Sequence, residues 1–308
     1  MNKQQESLLR EYVRTSLSNE TLNEGVGDLL KKGVEVVLSK ISKTINSLKQ
    51  MVPTSDAVID ALEKNGAGDV IAKAESIGQQ FESSIDAASE SIPAPKKESR
   101  AYKLYQRTLI EQRDFEKKNR RQINEVGVFE SVGLILAAIG GIPLILKGAY
   151  KLASFMKFEK AAEKIKVAYE AAHHFEEKVI DIAVPDKAIY AVYMMFEERS
   201  NPDRVANLNL YVDDPKTKLD GERSMSFEEF RKSDIRKKYE KRVYALILLP
   251  WIISGLMSIQ HMMHGWLGAV EGAATAEKAL FTGTQAVDVA RKIAGEFTAV
   301  AGVASETV

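Results

Sequence analysis

Cysteine is absent from the 308 residues. Its absence removes disulfide frameworks, thiol nucleophiles and cysteine-ligated zinc or iron–sulfur centres, and suits a protein made in the cytosol. Net charge is missing as well, because 43 Lys plus Arg balance 43 Asp plus Glu. With no global field, attraction to nucleic acid or to a lipid surface has to come from local patches. Histidine is scarce, at four, and there is no P-loop, dinucleotide fingerprint, nucleophile elbow or zinc-protease helix. Nor does a secretory signal open the chain: residues 1–5 lead into a charged amphipathic stretch without an apolar centre or a small-residue cleavage site.

What is present is mostly helical periodicity. Leu29, Leu30, Val34, Val37, Leu38, Ile41, Ile45 and Leu48 form one stripe over residues 26–49, with Pro53 closing the segment. Val70, Ile71, Ala74, Ile77, Phe81 and Ile85 predict a second helix over about residues 67–91. Pro93-Ala94-Pro95-Lys96-Lys97 then reads as an extended linker, placed at 93–99 between a helical region, 25–92, and a helical domain, 100–308. Residues 100–125 are highly charged with a sparse row of Tyr102, Tyr105, Leu109 and Phe115, the pattern of a solvated or intermolecularly packed helix.

Two segments, 131–146 and 243–270, carry no formal charge apart from the imidazoles of the second. The first is short for a membrane span, and Gly140-Gly141-Ile142-Pro143 interrupts it, which predicts a helical hairpin or a kinked buried helix. The second is long enough to span, with Trp251 and Trp266 near its ends. Basic residues flank the first segment on both sides, so a simple two-span topology breaks the positive-inside pattern. Gln260, His261 and His264 inside the second segment would need partners in lipid. Residues 149–177 continue the helical pattern through Leu152, Phe155, Met156, Ile165, Val167 and Tyr169. A small β element is expected at 179–184 and 208–212, where apolar and polar residues alternate. The expected fold is therefore mainly α, an elongated multi-helix protein with two strongly apolar helical segments and at most a small β element.

Candidate chemistry is thin. His261 and His264 share a helix side in apolar surroundings with no carboxylate within a turn, so they read as a core or interface pair rather than metal ligands. His173 and His174 lie beside Glu170, Glu176 and Glu177 on a charged face, where His174 and Glu170 have pairing distance in sequence. Asp213, Asp214, Asp220 and Glu222 are not at calcium-loop spacing. The basic cluster from Lys117 to Arg121 lacks the interleaved aromatics of a nucleic-acid platform. No cofactor or metal is expected, no enzymatic activity is expected, and nucleic acid is not among the expected partners.

The first residues are more informative. Leu8, Leu9, Tyr12, Val13 and Leu17 lie on one helical face, with Arg10, Glu11 and Arg14 on the other. Leu22-Asn23-Glu24 follows, then the small residue Gly25. An amphipathic segment ending in Leu-x-Glu before a small residue resembles the propeptides of proteins packaged inside the heads of T-even-like tailed bacteriophages. That resemblance, confined to about the first 27 residues, implies binding to the prohead core and cutting by a prohead protease after the Glu. Further Leu/Ile-x-Glu matches occur at Leu9-Arg10-Glu11, Leu109-Ile110-Glu111 and Ile123-Asn124-Glu125. Composition alone gives roughly four matches, so their number carries no weight.

Their placement says more. Asn-Glu-Gly-Val-Gly begins at Asn23, and Asn-Glu-Val-Gly-Val begins at Asn124. Tyr12-Val13-Arg14-Thr15 and Tyr105-Gln106-Arg107-Thr108 precede them. A duplicated targeting segment with a second cut between Glu125 and Val126 is one explanation, and coincidence between two Arg-bearing helices is the other. The expectation is a structural or internal head protein of a virion, made in the host cytoplasm and carried to the capsid interior or vertex by residues 1–24. Its expected partners are prohead core or other virion proteins, the prohead protease and other copies of itself through its helices. The alternatives are a membrane-active or pore-forming helical protein of the host membrane, and a general assembly or scaffold protein.

Overall fold

A computed structural model describes residues 26–97, 99–118, 128–180, 182–214, 216 and 221–276. The apolar stripe of the first segment forms α1 (Val26–Lys49), whose Asp28 and Lys49 sit at the ends that the helix dipole favours. Pro53 does not merely close α1. It occupies the first turn of α2 (Val52–Lys64), where a missing N–H costs nothing and the fixed φ favours a helix start. At the other end of α2, Gly66 takes φ +75°. Ala67 N–H donates to the Leu62 carbonyl, and Gly66 N–H to that of Glu63, closing the helix in a Schellman turn.

Next come α3 (Gly68–Glu90), α4 (Arg100–Lys118) and α5 (Val128–Phe155). The interruption expected within 131–146 is not a hairpin: α5 runs through Gly140, Gly141 and Pro143 as one helix. Burial of Ile135, Ile139, Ile142, Ile145 and Leu146 compensates for the hydrogen bond that Pro143 cannot donate. The helical pattern expected to run unbroken over 149–177 does break, at residues 156–158. Lys157 adopts φ +58° there, and Phe158 N–H donates to the Ala153 carbonyl before α6 (Glu159–Ile180) begins. Val167, expected on the apolar side of that pattern, is exposed on α6.

After α6 follow α7 (Asp186–Ser200), α8 (Pro202–Asp213), α9 (Phe227–Lys232) and α10 (Asp234–Ala276). No strand occurs among the described residues. Residues 208–212 lie in α8, which Pro202 opens; Leu208 is buried while Leu210 and Val212 are exposed, so their alternation serves a helix with one contact row. Residues 179 and 180 end α6, and Ile182 and Val184 are buried in an irregular connection.

The architecture is a mainly-α bundle wound on α10. With 43 residues, that helix is about 65 Å long at 1.5 Å per residue. Every residue from 252 to 267 is buried, because α1, α2, α3, α4, α5 and α7 lie along its sides. A helix apolar all round must be covered on every side, and here the chain itself supplies the cover. Removing this surface from water is the main stabilising term, at roughly 25 cal/mol per Å² of apolar area. Outside this layer α6 packs on α3 and α5, with Phe175 stacked on Phe81 at 4.2 Å between centroids.

Small residues set how closely the layers approach. Gly78 of α3 lies beneath the indole of Trp251, and Gly255 of α10 against Phe81. The Pro-Ala-Pro segment is coil, as its composition predicts, and it is fastened to α10: Pro95 is buried against Gly268, and Ile92 against Gly265. One hydrophobic core consequently joins residues on both sides of 93–99.

Candidate functional site

Leu8, Leu9, Tyr12, Val13 and Leu17 of the expected targeting helix lie outside the described residues, as do Leu22, Glu24, Gly25, Ile123, Glu125 and Val126 of the expected cleavage sites. Their positions relative to the fold are still informative. The first site stands immediately ahead of α1, which begins at Val26, and the second falls between the last residue of α4, Lys118, and the first of α5, Val128. The Leu109-Ile110-Glu111 match is different. It lies within α4, where Arg107 Nε donates to Glu111 Oε1 at 2.9 Å. Proteolysis favours exposed termini and loops, so a site inside a folded helix is a poor substrate. Tyr105, part of the echo of the first segment, is likewise an integral packing residue of α4, its ring 3.7 Å from that of His261.

The polar residues of the apolar segment 243–270 are all placed inside the bundle. Ser254 hydrogen-bonds Glu82, Ser258 hydrogen-bonds Asp86, and Gln112 Nε2 donates to Ser258 at 3.2 Å. Gln260 Nε2 donates to Ser42 Oγ at 2.8 Å. These bonds give α10 a polar seam facing α1, α3 and α4, and they offset the cost of burying its hydroxyls and amide. His261 and His264 are 8 % and 5 % exposed, and neither Nδ1 has a hydrogen-bond partner among the described residues. Burial drives both imidazoles down to about 4, with His264 adding to the effect on His261, so both are neutral at pH 7. Together with Met262 and Met263 between them, they belong to the core. No group of three or more His, Asp or Glu suited to a metal occurs among the described residues.

A concavity touches this seam. A cleft of about 560 Å³ opens between α1 and α4, with α10 as its floor. Gln260, His264 and Leu267 rise from the floor at helical spacing, Leu38, Ile45 and Leu104 form apolar walls, and Glu35, Arg107 and Glu111 edge it. No local motif announces it, since its residues come from three distant stretches of sequence. The available signal was the pair Gln260 and His264 within an otherwise apolar run, which reads as packing until the third dimension is known.

Several of the remaining polar residues pair on the surface. His174 pairs with Glu177 at 3.0 Å and holds its carboxyl below the usual range, while Glu170, the partner expected for His174, pairs with Lys166 at 3.9 Å. Glu222 of the acidic loop pairs with Arg204, and Arg223 makes two 2.7 Å bonds to Glu229, whose carboxyl is drawn down to about 2. Lys117 and Lys118 of the basic cluster end α4, and residues 119–121 lie outside the described residues.

Two helices have the length and composition of membrane spans, and they differ in cover. The span within α10 is 83 % buried by the chain, whereas that within α5 is 44 % buried and leaves Leu136, Leu144 and Tyr150 exposed. Comparison with family models, with curated proteins and with solved structures gives no match to this chain.

Proposed function

We propose that this chain is a non-enzymatic structural protein of a tailed-phage virion, delivered to the prohead by its first 24 residues and released by cleavage after Glu24. The observation that supports this reading is the placement of the site. Leu22-Asn23-Glu24 precedes Val26, the first residue of α1, so a cut there leaves every described helix, and the core that the described residues form, in the released body. Physically, Leu8, Leu9, Tyr12, Val13 and Leu17 would lie in an apolar groove of the prohead core, a helix-in-groove contact that ends when the peptide is severed. The body would remain inside the capsid or at a vertex.

The test is transfer of the signal. Residues 1–27 fused to a fluorescent protein should be packaged during infection and lose the first 24 residues, and replacement of Leu8, Leu9 and Val13 by Asp should leave the reporter outside the particle. A reporter absent from particles in both forms contradicts the proposal.

A membrane-active role is the second reading, favoured by the exposed apolar face of α5 at Leu136 and Leu144. It demands that α5, and not the covered α10, meets lipid first. A monodisperse preparation in detergent-free buffer that fails to bind vesicles would count against it.

A further inference from the structure

One row of α5 is left uncovered by the bundle. Gly133, Leu136, Gly140, Leu144, Lys147 and Tyr150 are all exposed, and they follow one another at spacings of three and four residues, so they share a single face of the helix. That face changes character along its length. From Gly133 to Leu144 it is apolar, with Leu136 40 % and Leu144 43 % exposed. Beyond Leu144 it presents Lys147 and Tyr150, and Lys157 is exposed in the turn that follows. Residues 131–158 contain Lys147, Lys151 and Lys157 but no Asp or Glu. The first turns of α6 then bring Glu159, Lys160, Glu163 and Lys164, whose charges cancel.

Area and charge select the occupant. At 1.5 Å per residue the row from Gly133 to Tyr150 is about 26 Å long, and a helix is about 10 Å wide, so the face offers roughly 260 Å². A stable contact with a second copy of the chain needs about 800 Å² from each partner, well beyond this face. A bilayer sets no such minimum, because apolar side chains enter the acyl boundary one by one. Lysine and tyrosine at one end of an apolar row suit the headgroup level, where ammonium groups meet lipid phosphates and a phenol keeps its body apolar and its tip wet. The sign of the charge then chooses both the helix and the lipid. Leu210 and Val212 of α8 are more exposed, at 53 % and 63 %, but Asp203 and Asp213 are exposed on that same helix, and an anionic surface repels them.

We propose that the uncovered face of α5 docks on an anionic lipid bilayer, with Leu136 and Leu144 in the acyl boundary and Lys147, Tyr150 and Lys157 among the headgroups, while the bundle stays closed around α10. The proposal rests on the membrane reading, to which it adds a lipid class and a contact face, and it requires neither a pore nor delivery by residues 1–24.

The full-length chain is floated with vesicles of phosphatidylcholine alone and with vesicles that also contain phosphatidylglycerol, in about 150 mM NaCl so that loose surface attraction is screened. It should float with the anionic vesicles and not with the neutral ones. Leu136→Gln/Leu144→Gln and Lys147→Gln/Lys157→Gln should each weaken binding at least about tenfold, and both should keep a cooperative melting transition, since all four positions are exposed. The chain has no cysteine, so Gly140→Cys, where nothing lies within 4 Å of an added Cβ, takes a single environment-sensitive label. Its emission should move to the blue on anionic vesicles, and that of the same label at Leu210→Cys should not. Release of a trapped dye reports separately on pore formation: binding without leakage supports the docking and counts against a pore. The proposal is overturned by no flotation, by equal flotation of neutral vesicles, by either double variant binding as the parent does, by an equal blue shift at Leu210→Cys, or by a dimer in solution that the leucine variant dissociates, which would make a second copy the occupant.

Discussion

Replacing Gly78 by Ala should destabilise the protein even though helix propensity argues the opposite. Gly78 lies inside α3, and in an exposed helix the change from Gly to Ala stabilises by about 1 kcal/mol. Here an added Cβ would lie 2.3 Å from Trp251 Cδ2 and 2.4 Å from Cγ. Ordinary contact begins at 3.4 Å, so the indole must retreat by 1.1 Å, the difference between 3.4 and 2.3 Å. The near atoms of the ring are involved, close to the backbone of α10, so a rotation of the side-chain tip is not enough. Overpacking of this kind costs about 1–3 kcal/mol, which leaves a net loss of up to about 2 kcal/mol after the propensity gain. Gly140→Ala is the matched control, since nothing lies within 4 Å of a Cβ there, and it should stabilise by about 0.5–1 kcal/mol. Urea unfolding followed by tryptophan fluorescence is the natural assay, because both tryptophans, Trp251 and Trp266, belong to α10. A Gly78→Ala protein stabilised as much as Gly140→Ala would refute the close packing of α3 on α10.

Three further outcomes follow from the same structure. Burial holds His261 and His264 at about 4, whereas the unfolded imidazoles titrate near about 6.5; their neutral forms therefore cost nothing above pH 6.5, and stability falls as the pH drops from about 6.5 towards about 4, by about 1–3 kcal/mol for each group. Urea midpoints at pH 7 and pH 5 should converge in a His261→Phe/His264→Leu variant, and an unchanged pH dependence would disprove the role of these two groups. Lys157 occupies the left-handed position of the α5–α6 turn, so Lys157→Gly should raise stability by about 0.5–1 kcal/mol, read as an increase in melting temperature; a decrease would count against that turn. Brief glutamyl-protease digestion of the purified chain should spare Glu111, since it lies within α4; early cleavage after Glu111 would place α4 off the bundle.

Periodicity was a good guide wherever one helix face meets a core. The stripe from Leu30 to Leu48 marks α1, and the row from Val70 to Ile85 marks α3, because their buried positions recur at helical spacing. It misled at Leu208 to Val212, where five residues are too few to separate period 2 from a helix with one buried row, and at Pro53, whose role depends on whether a helix ends before it or begins on it. The apolar run of α10 was legible as a helix but not in its environment, for lipid and protein reward the same side chains. What decides is the arrangement of the surrounding helices, together with small contacts such as Gly78 on Trp251. The cleft was invisible for a related reason: Glu35, Glu111 and His264 become neighbours only when α1 and α4 are laid on α10.

The most direct test of the account is the N-terminus of the protein in mature particles, determined by intact mass and N-terminal peptide analysis. Delivery and processing predict a chain beginning at Gly25, with no residues 1–24 retained. A chain that still begins at Met1 in mature particles, or a protein absent from particles altogether, would contradict the proposal.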